Sequence, residues 1–280
     1  MECRICTRNV SRFAETMILS RYTIQYYVCE NCGFLQTEEP YWLQEAYQDS
    51  INIYDTGILQ RNIDFSKRTA VLLHTLFDDD FKCLDYGGGY GIFCRLMRDM
   101  GFDFFWHDPY TKNLVARGFE YTGNQKIDFI TAFECFEHFQ YPFIEIGKLL
   151  EISDTILFST LLPPTPTPLP KDWWYFGLNH GQHIAFYSEK TLRFIAEHFK
   201  LKLYSNGTYL HLFVTKAPNI RNLNFLMKLK FLLMGKEKIN RLIKQSDKLY
   251  HKLHHRFDSS LVVEDMLHVR QGNDETVGGK

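Results

Sequence analysis

Four cysteines stand in two close pairs at the start of this 280-residue chain: Cys3 and Cys6 in CRIC, Cys29 and Cys32 in CENC, the latter followed by Gly33. Thiolates spaced this way on a tight knuckle can share one zinc ion, and two such knuckles complete a tetrahedron. The intervening TMILSRYTIQYYV is β-branched and aromatic, which suits a hairpin that brings the knuckles together. A site closed by four sulfurs offers substrate no open position. It therefore reads as a staple for residues 1–40, a zinc-ribbon module too small to be held by a core alone. Three further cysteines, Cys83, Cys94 and Cys135, lie in apolar surroundings and read as core residues. Metal ligation in a reducing compartment fits seven cysteines better than a disulfide framework does.

A second constellation is CLDYGGGYGIF, residues 83–93. Glycine-rich turns of this kind hold phosphates, dinucleotides or adenosyl cofactors. A dinucleotide fingerprint, G-x-G-x-x-G, started at Gly87 and Gly89 requires glycine where Ile92 stands. A Walker loop requires Gly-Lys-Ser/Thr, which is missing. What the chain offers is Asp85 two residues before Gly87, then Gly89 and Gly91, with Gly88 the least informative glycine of the run.

The elements around this turn read as alternating strands and helices. FKCLDY is a short apolar run, and YGIFCRLMRDM has helical spacing up to Gly101. FDFFWHDP, IDFITAFECF and ISDTILFSTLL read as further strands; YPFIEIGKLLE and SEKTLRFIAEHF read as helices, the last opened by Ser188 with Thr191. That order predicts an α/β sheet, mostly parallel, whose ligands gather at the carboxyl ends of the strands.

On these residues the segment resembles motif I of class I S-adenosylmethionine-dependent methyltransferases. Gly87, Gly89 and Gly91 match the turn that lets backbone approach the cofactor, and Asp108 in FWHDPY matches the acid that binds the ribose hydroxyls. FDFITAFECFEHF is similar to the family's fourth-strand region, with Glu134 as a cofactor contact. A sulfonium cofactor carries no phosphate, so no lysine is needed in the loop. Its α-amino group can be held by an acid near the turn, and one carboxylate can accept two vicinal hydroxyls. The resemblance implies a Rossmann-like, seven-stranded methyltransferase domain over residues 81–216, joined to the module by a helical linker at 41–80. A paired-cysteine module, a tyrosine-bearing linker and such a domain together resemble the sugar methyltransferases of bacterial polysaccharide and deoxysugar pathways.

Acceptor chemistry is expected after the fifth strand, in PPTPTPLPKDWWYFGLNHGQHIAFYS. The Pro-rich part, 163–170, reads as a stiff surface loop. Trp173, Trp174, Tyr175 and Phe176 either stack on a sugar face or pack the loop down. His180 and His183 are the candidate catalytic residues; the resemblance maps a proposed base onto His183. Related enzymes often carry Glu immediately before that histidine, where this chain has Gln182, which favours O- over C-methylation. His138 and Tyr47 read as structural, whereas the Tyr54 hydroxyl is a candidate contact for the cofactor carboxylate.

The formal net charge of −1 argues against a chain that binds nucleic acid with its whole surface. Between Arg221 and Arg256, however, ten Lys or Arg face two acids. Residues 222–234 and 237–257 read as basic amphipathic helices within 217–270, and 221–257 suit self-association or contact with an anionic membrane. QGNDETVGGK, 271–280, reads as a disordered tail. The opening MECRICTRNV has no apolar signal core, so a cytoplasmic setting, peripheral at the inner membrane face, is expected. The sequence reading is thus a methyltransferase using S-adenosylmethionine and structural zinc. Its expected acceptor is a nucleotide sugar or glycan precursor for a capsule or lipopolysaccharide. An RNA methyltransferase and a non-catalytic cofactor-binding scaffold are the alternatives; residues 1–40 have balanced charge and no basic-aromatic patch, which counts against RNA.

Overall fold

The computed structural model describes residues 1–215, apart from 52, 54, 78 and 79. The expected C-terminal helices, the tail at 271–280 and Tyr54 therefore lie outside the described residues. In chain order the first elements are β1 (Ser11–Ile18), β2 (Tyr22–Val28), β3 (Leu35–Thr37), α1 (Leu43–Ala46) and α2 (Ile58–Leu76). Then come β4 (Lys82–Tyr86), α3 (Ile92–Asp99), β5 (Asp103–His107), β6 (Phe129–Ala132), α4 (Pro142–Ile152) and β7 (Thr155–Ser159). The last are β8 (Ala185–Phe186), α5 (Glu189–His198), β9 (Lys202–Ser205) and β10 (Leu210–Val214). The chain forms two compact units, Met1–Asn52 with Ala132–Ala217, and Ile53–Thr131.

In the first unit, β1 and β2 make the expected antiparallel hairpin. Its turn residues Leu19 and Ser20 both adopt left-handed backbone, φ 51° and 53°. Two central residues at positive φ suit the right-handed twist of a tight hairpin. β3 pairs with β2 on one side and with β8 on the other, so the four-stranded sheet runs β1-β2-β3-β8. The N-terminal segment thus shares its sheet with residues far along the chain. Tyr26, Trp42, Trp173, Tyr175, Phe176 and Phe186 fill the core against this sheet. Of the four aromatic loop residues, three are packing residues, and Trp174 alone is exposed, at 78%. β10 pairs antiparallel with both β7 and β9. Ser188 opens α5 with a capping box: its side chain accepts from the Thr191 amide, and the Thr191 hydroxyl accepts from the Ser188 amide.

In the second unit, β4 lies between β5 and β6, parallel to both. α3 packs on β4, β5 and α2. Parallel and antiparallel strands interleaved with helices fit the Rossmann-like α/β class. Six strands of the alternating α/β part are formed among the described residues, against the expected seven. Beside β5 there is a single parallel bridge, Trp106 to Glu120, in the polar, glycine-bounded GFEYTGNQK. The expected strand IDFITAFECF also stops early, at Ala132. Glu134 turns the chain with φ 53°, and Phe136–His138 forms a short 3-10 turn. Among the described residues, no helix is long and apolar enough to cross a membrane.

Candidate functional site

The glycine turn follows β4 and leads into α3. Gly87, Gly89 and Gly91 take φ values of 69°, 53° and 85°, in the left-handed region that favours glycine. The turn's amides are committed inside the protein. Those of Gly87 and Gly88 donate to the His107 carbonyl, that of Gly89 to Asp108 Oδ2, and that of Gly91 to the Gly88 carbonyl. A phosphate nest would present such amides outward, so this turn is not one.

Gly88, the least informative glycine by spacing, is closely packed. A Cβ there would lie 2.6 Å from Trp106 Cδ1 and 2.7 Å from Asp85 Oδ2. Trp106 in turn donates its indole N–H to the Gly89 carbonyl at 2.9 Å. The neighbouring strand therefore clamps the turn, a contact that spacing alone does not reveal.

Asp85 is buried at 3% exposure. Its Oδ1 accepts from the Thr131 hydroxyl at 3.1 Å, and its Oδ2 has no hydrogen-bond partner. Burial raises its carboxyl from 3.8 to about 7. An orphaned carboxylate oxygen beside a glycine turn suits a ligand cation. Asp108 follows β5 and accepts from three amides, Gly89 at Oδ2 and Tyr110 and Thr111 at Oδ1. Two lone pairs on each oxygen leave Oδ2 one acceptor position. Asp108 thus shapes the turn and keeps limited capacity for a hydroxyl. These residues fit an adenosyl sulfonium, with Asp85 the group that would meet its ammonium.

The four N-terminal cysteines come together in the first unit, with all sulfurs within 4.8 Å of one another. Cys3 and Cys32 sulfurs are 3.5 Å apart, and those of Cys6 and Cys29 3.4 Å. Zinc–sulfur bonds of about 2.3 Å in a tetrahedron place sulfurs about 3.8 Å apart, so the donor set fits zinc. The Cys32 thiol beside it draws the Cys3 thiol down to about 5. Gly33, at φ 75°, donates its amide to the Cys29 carbonyl and closes the second knuckle.

The first unit also gathers His138, His180 and His183. The His183 ring stands 5.0 Å from that of His138 and 4.8 Å from that of His180, centroid to centroid. His183 Nδ1 lies 2.6 Å from the Tyr175 carbonyl oxygen. A carbonyl only accepts, so Nδ1 carries a proton, and in the neutral ring the lone pair is on Nε2. His180 Nδ1 accepts from the Gln182 amide at 3.1 Å. Gln182 does not serve as a stand-in for the related enzymes' carboxylate. Its side chain is buried and donates to the carbonyls of Ala46 and Asp49, fastening the segment after α1.

Two further residues of this cluster lie deep in the fold. His138 receives a contact from Tyr47, Nδ1 to hydroxyl 2.9 Å, and burial lowers its imidazole to about 3. Glu137 is fully buried, and burial raises its carboxyl to about 8, an effect that the nearby Tyr175 and Thr160 hydroxyls only partly offset. The Glu-His pair ending FECFEHF was the available signal, but the depth of the glutamate depends on Phe136, Tyr175 and Tyr187 around it. Glu134, expected at the cofactor, is held by Ser159: its amide donates to Ser159 Oγ at 2.7 Å, and that hydroxyl donates to Glu134 Oε1 at 2.5 Å.

Comparison with known proteins follows from this geometry. Among solved structures, the chain is similar to TnmH at 13% identity and a TM-score of 0.43, covering 63% of this chain and 62% of that one. It is similar to CalO1, a methyltransferase in calicheamicin biosynthesis, at 13% identity and a TM-score of 0.38, covering 62% of this chain and 61% of that one. It is also similar to the plantazolicin methyltransferase BpumL at 13% identity and a TM-score of 0.40, covering 61% and 94%. The chain thus spans less than two thirds of the length of the first two. No curated protein matches it significantly. Residues 58–206, more than half of the sequence, match the family model described as a methyltransferase domain, and the chain belongs to that family.

Proposed function

We propose that this protein is an S-adenosylmethionine-dependent methyltransferase acting on a hydroxyl of a sugar-containing acceptor. The observation that carries the reading is the second unit's cradle. There a glycine turn with its amides satisfied internally stands beside a buried carboxylate with one orphaned oxygen. Asp85 would hold the cofactor's ammonium, Asp108 Oδ2 would accept one ribose hydroxyl, and the left-handed glycines would admit the backbone to van der Waals distance. S-adenosylmethionine supplies an electrophilic methyl group when bound. The rest of the catalysis is alignment and proton removal. In the first unit, His183 presents its Nε2 lone pair to take the acceptor's proton, with the Tyr175 carbonyl bracing the imidazolium that forms. The sugar acceptor is supported by the resemblance of the cysteine module, linker and domain order to sugar methyltransferases, and by exposed Trp174, suited to stacking on a sugar ring. Zinc at the four cysteines would be structural. The basic stretch 221–257 would supply the contact with a membrane-borne glycan precursor or with a second copy.

Calorimetry with S-adenosylhomocysteine tests the donor site without knowledge of the acceptor. Wild type binds, and Asp85→Asn and Asp108→Asn each weaken binding at least about tenfold, as loss of a charge-assisted hydrogen bond does. Failure of the wild type to bind, or unchanged affinity in Asp85→Asn, refutes the assignment.

A further inference from the structure

We propose that Glu137 is the positioning residue of His183, a buried acid that fixes both the ring and the backbone of the histidine; this rests on the reading of His183 as the base for the acceptor. Glu137 lies in the 3-10 turn Phe136–His138 and has no exposed surface. Glu137, Tyr175 and His183 all belong to the first unit.

Two routes lead from Glu137 to the histidine. Its backbone carbonyl accepts from the amide of Ile184, the residue after His183, at 2.9 Å. Its carboxyl is met by the hydroxyls of Tyr175 and Thr160. The carbonyl oxygen of that same Tyr175 lies 2.6 Å from His183 Nδ1, and the two rings stand 4.7 Å apart, centroid to centroid. One buried residue thus holds the chain beside His183 directly and holds its ring through Tyr175.

The count of donors and acceptors gives the carboxyl its part. The Tyr175 hydroxyl accepts from the Leu161 amide at 3.0 Å, so its own proton needs an acceptor. The Thr160 hydroxyl, 3.2 Å away, brings a further proton to the same buried spot. A carboxyl oxygen beside both supplies the lone pairs they need, whereas an apolar side chain would leave a buried hydroxyl unpaired. Thr160 is itself braced from behind. Its carbonyl oxygen lies 3.1 Å from His211 Nε2, and His211 Nδ1 lies 2.8 Å from Ser205 Oγ.

Burial raises the Glu137 carboxyl to about 8, so near neutral pH it sits in the core largely uncharged. An uncharged carboxyl still accepts through its carbonyl oxygen. A glutamine amide can do the same, and a leucine of similar bulk cannot. The pair of substitutions therefore separates hydrogen bonding from space filling.

The test is made on the full chain with zinc in the cysteine site and 15N-labelled histidine. Long-range proton–nitrogen correlation at about pH 8, above the ordinary histidine range, reads which ring nitrogen carries the proton. The His183 signal is identified by its loss in His183→Gln. In the wild type and in Glu137→Gln the neutral ring is expected to carry its proton on Nδ1. In Glu137→Leu and in Tyr175→Phe the ratio of the Nδ1- to the Nε2-protonated ring falls at least about tenfold, the weight of one buried hydrogen bond. Because Glu137 acts on the ring through Tyr175, the double variant falls no further than the larger single one. An unchanged ratio in Glu137→Leu overturns the proposal, as does a fall in Glu137→Gln as large as that in Glu137→Leu. Retained zinc and far-ultraviolet circular dichroism show that each variant folds; where Glu137→Leu does not, an unchanged ratio in Tyr175→Phe overturns the proposal instead. The tautomer is read with no acceptor present, and methyl transfer by His183→Ala tests the base reading separately, so the two can fail apart.

Discussion

The Nδ1 atom of His183 lies 2.6 Å from the backbone carbonyl oxygen of Tyr175. That backbone is itself fixed, because the Tyr175 side chain is buried and its hydroxyl accepts from the Leu161 amide at 3.0 Å. A packed core residue therefore sets the tautomer of an imidazole eight positions away.

His183→Ala is expected to lower methyl transfer by about 10²–10⁴-fold, the usual weight of a general base. Affinity for S-adenosylhomocysteine is expected to stay within about twofold of wild type. Turnover and calorimetry on the same preparation separate the two effects; a parallel loss of both contradicts an acceptor-side role.

Gly88→Ala forces a Cβ to within 2.6 Å of the Trp106 ring and 2.7 Å of Asp85 Oδ2. Overpacking of this kind costs about 1–3 kcal/mol, so the chemical-denaturation midpoint falls. Gly147→Ala is the contrast, since a Cβ on that α4 glycine meets nothing within 4 Å. It is expected to stabilise by about 0.5–1 kcal/mol through helix propensity.

Asp85 carries a pH dependence whose sign follows from burial. Its carboxyl titrates at about 7 in the folded chain against 3.8 for the ordinary side chain. Between those values the unfolded chain holds fewer protons, so stability falls as pH rises from about 4 through about 7 and is then flat. Asp85→Asn removes this slope. The variant gains on wild type by up to about 4 kcal/mol above pH 7, read from denaturation curves at pH 5 and pH 8. The same carboxyl ionises when a cation binds beside it, so S-adenosylhomocysteine affinity is expected to rise with pH through about 7.

Cys6→Ser removes one of four sulfurs gathered within 4.8 Å. Tight zinc is expected at this site in the wild type and is lost in the variant. Chelation of the wild type lowers its thermal midpoint, because the binding energy of a structural zinc is folding energy. An unchanged midpoint after complete zinc removal contradicts the staple.

The features legible in the sequence were those set over short range. Paired cysteines must lie close in sequence to form a knuckle, glycines mark left-handed backbone, and an 11-residue periodic run such as Pro142–Ile152 can only be a helix. From these the family, the glycine turn and the hairpin between the knuckles could be read directly. What tertiary structure decided depends on contacts between distant residues. Tyr47 and His138 are 91 positions apart, and the Gln182 side chain reaches Ala46 across 136. β8 completes a sheet begun by β1, β2 and β3. No local pattern says that Trp173, Tyr175 and Phe176 fill a core, that Trp106 leaves no room beside Gly88, or that Glu137 is sealed from water. Burial is a property of everything packed around a residue, so the sequence alone determined the donor chemistry, and only the fold decided which side chains stand beside His183.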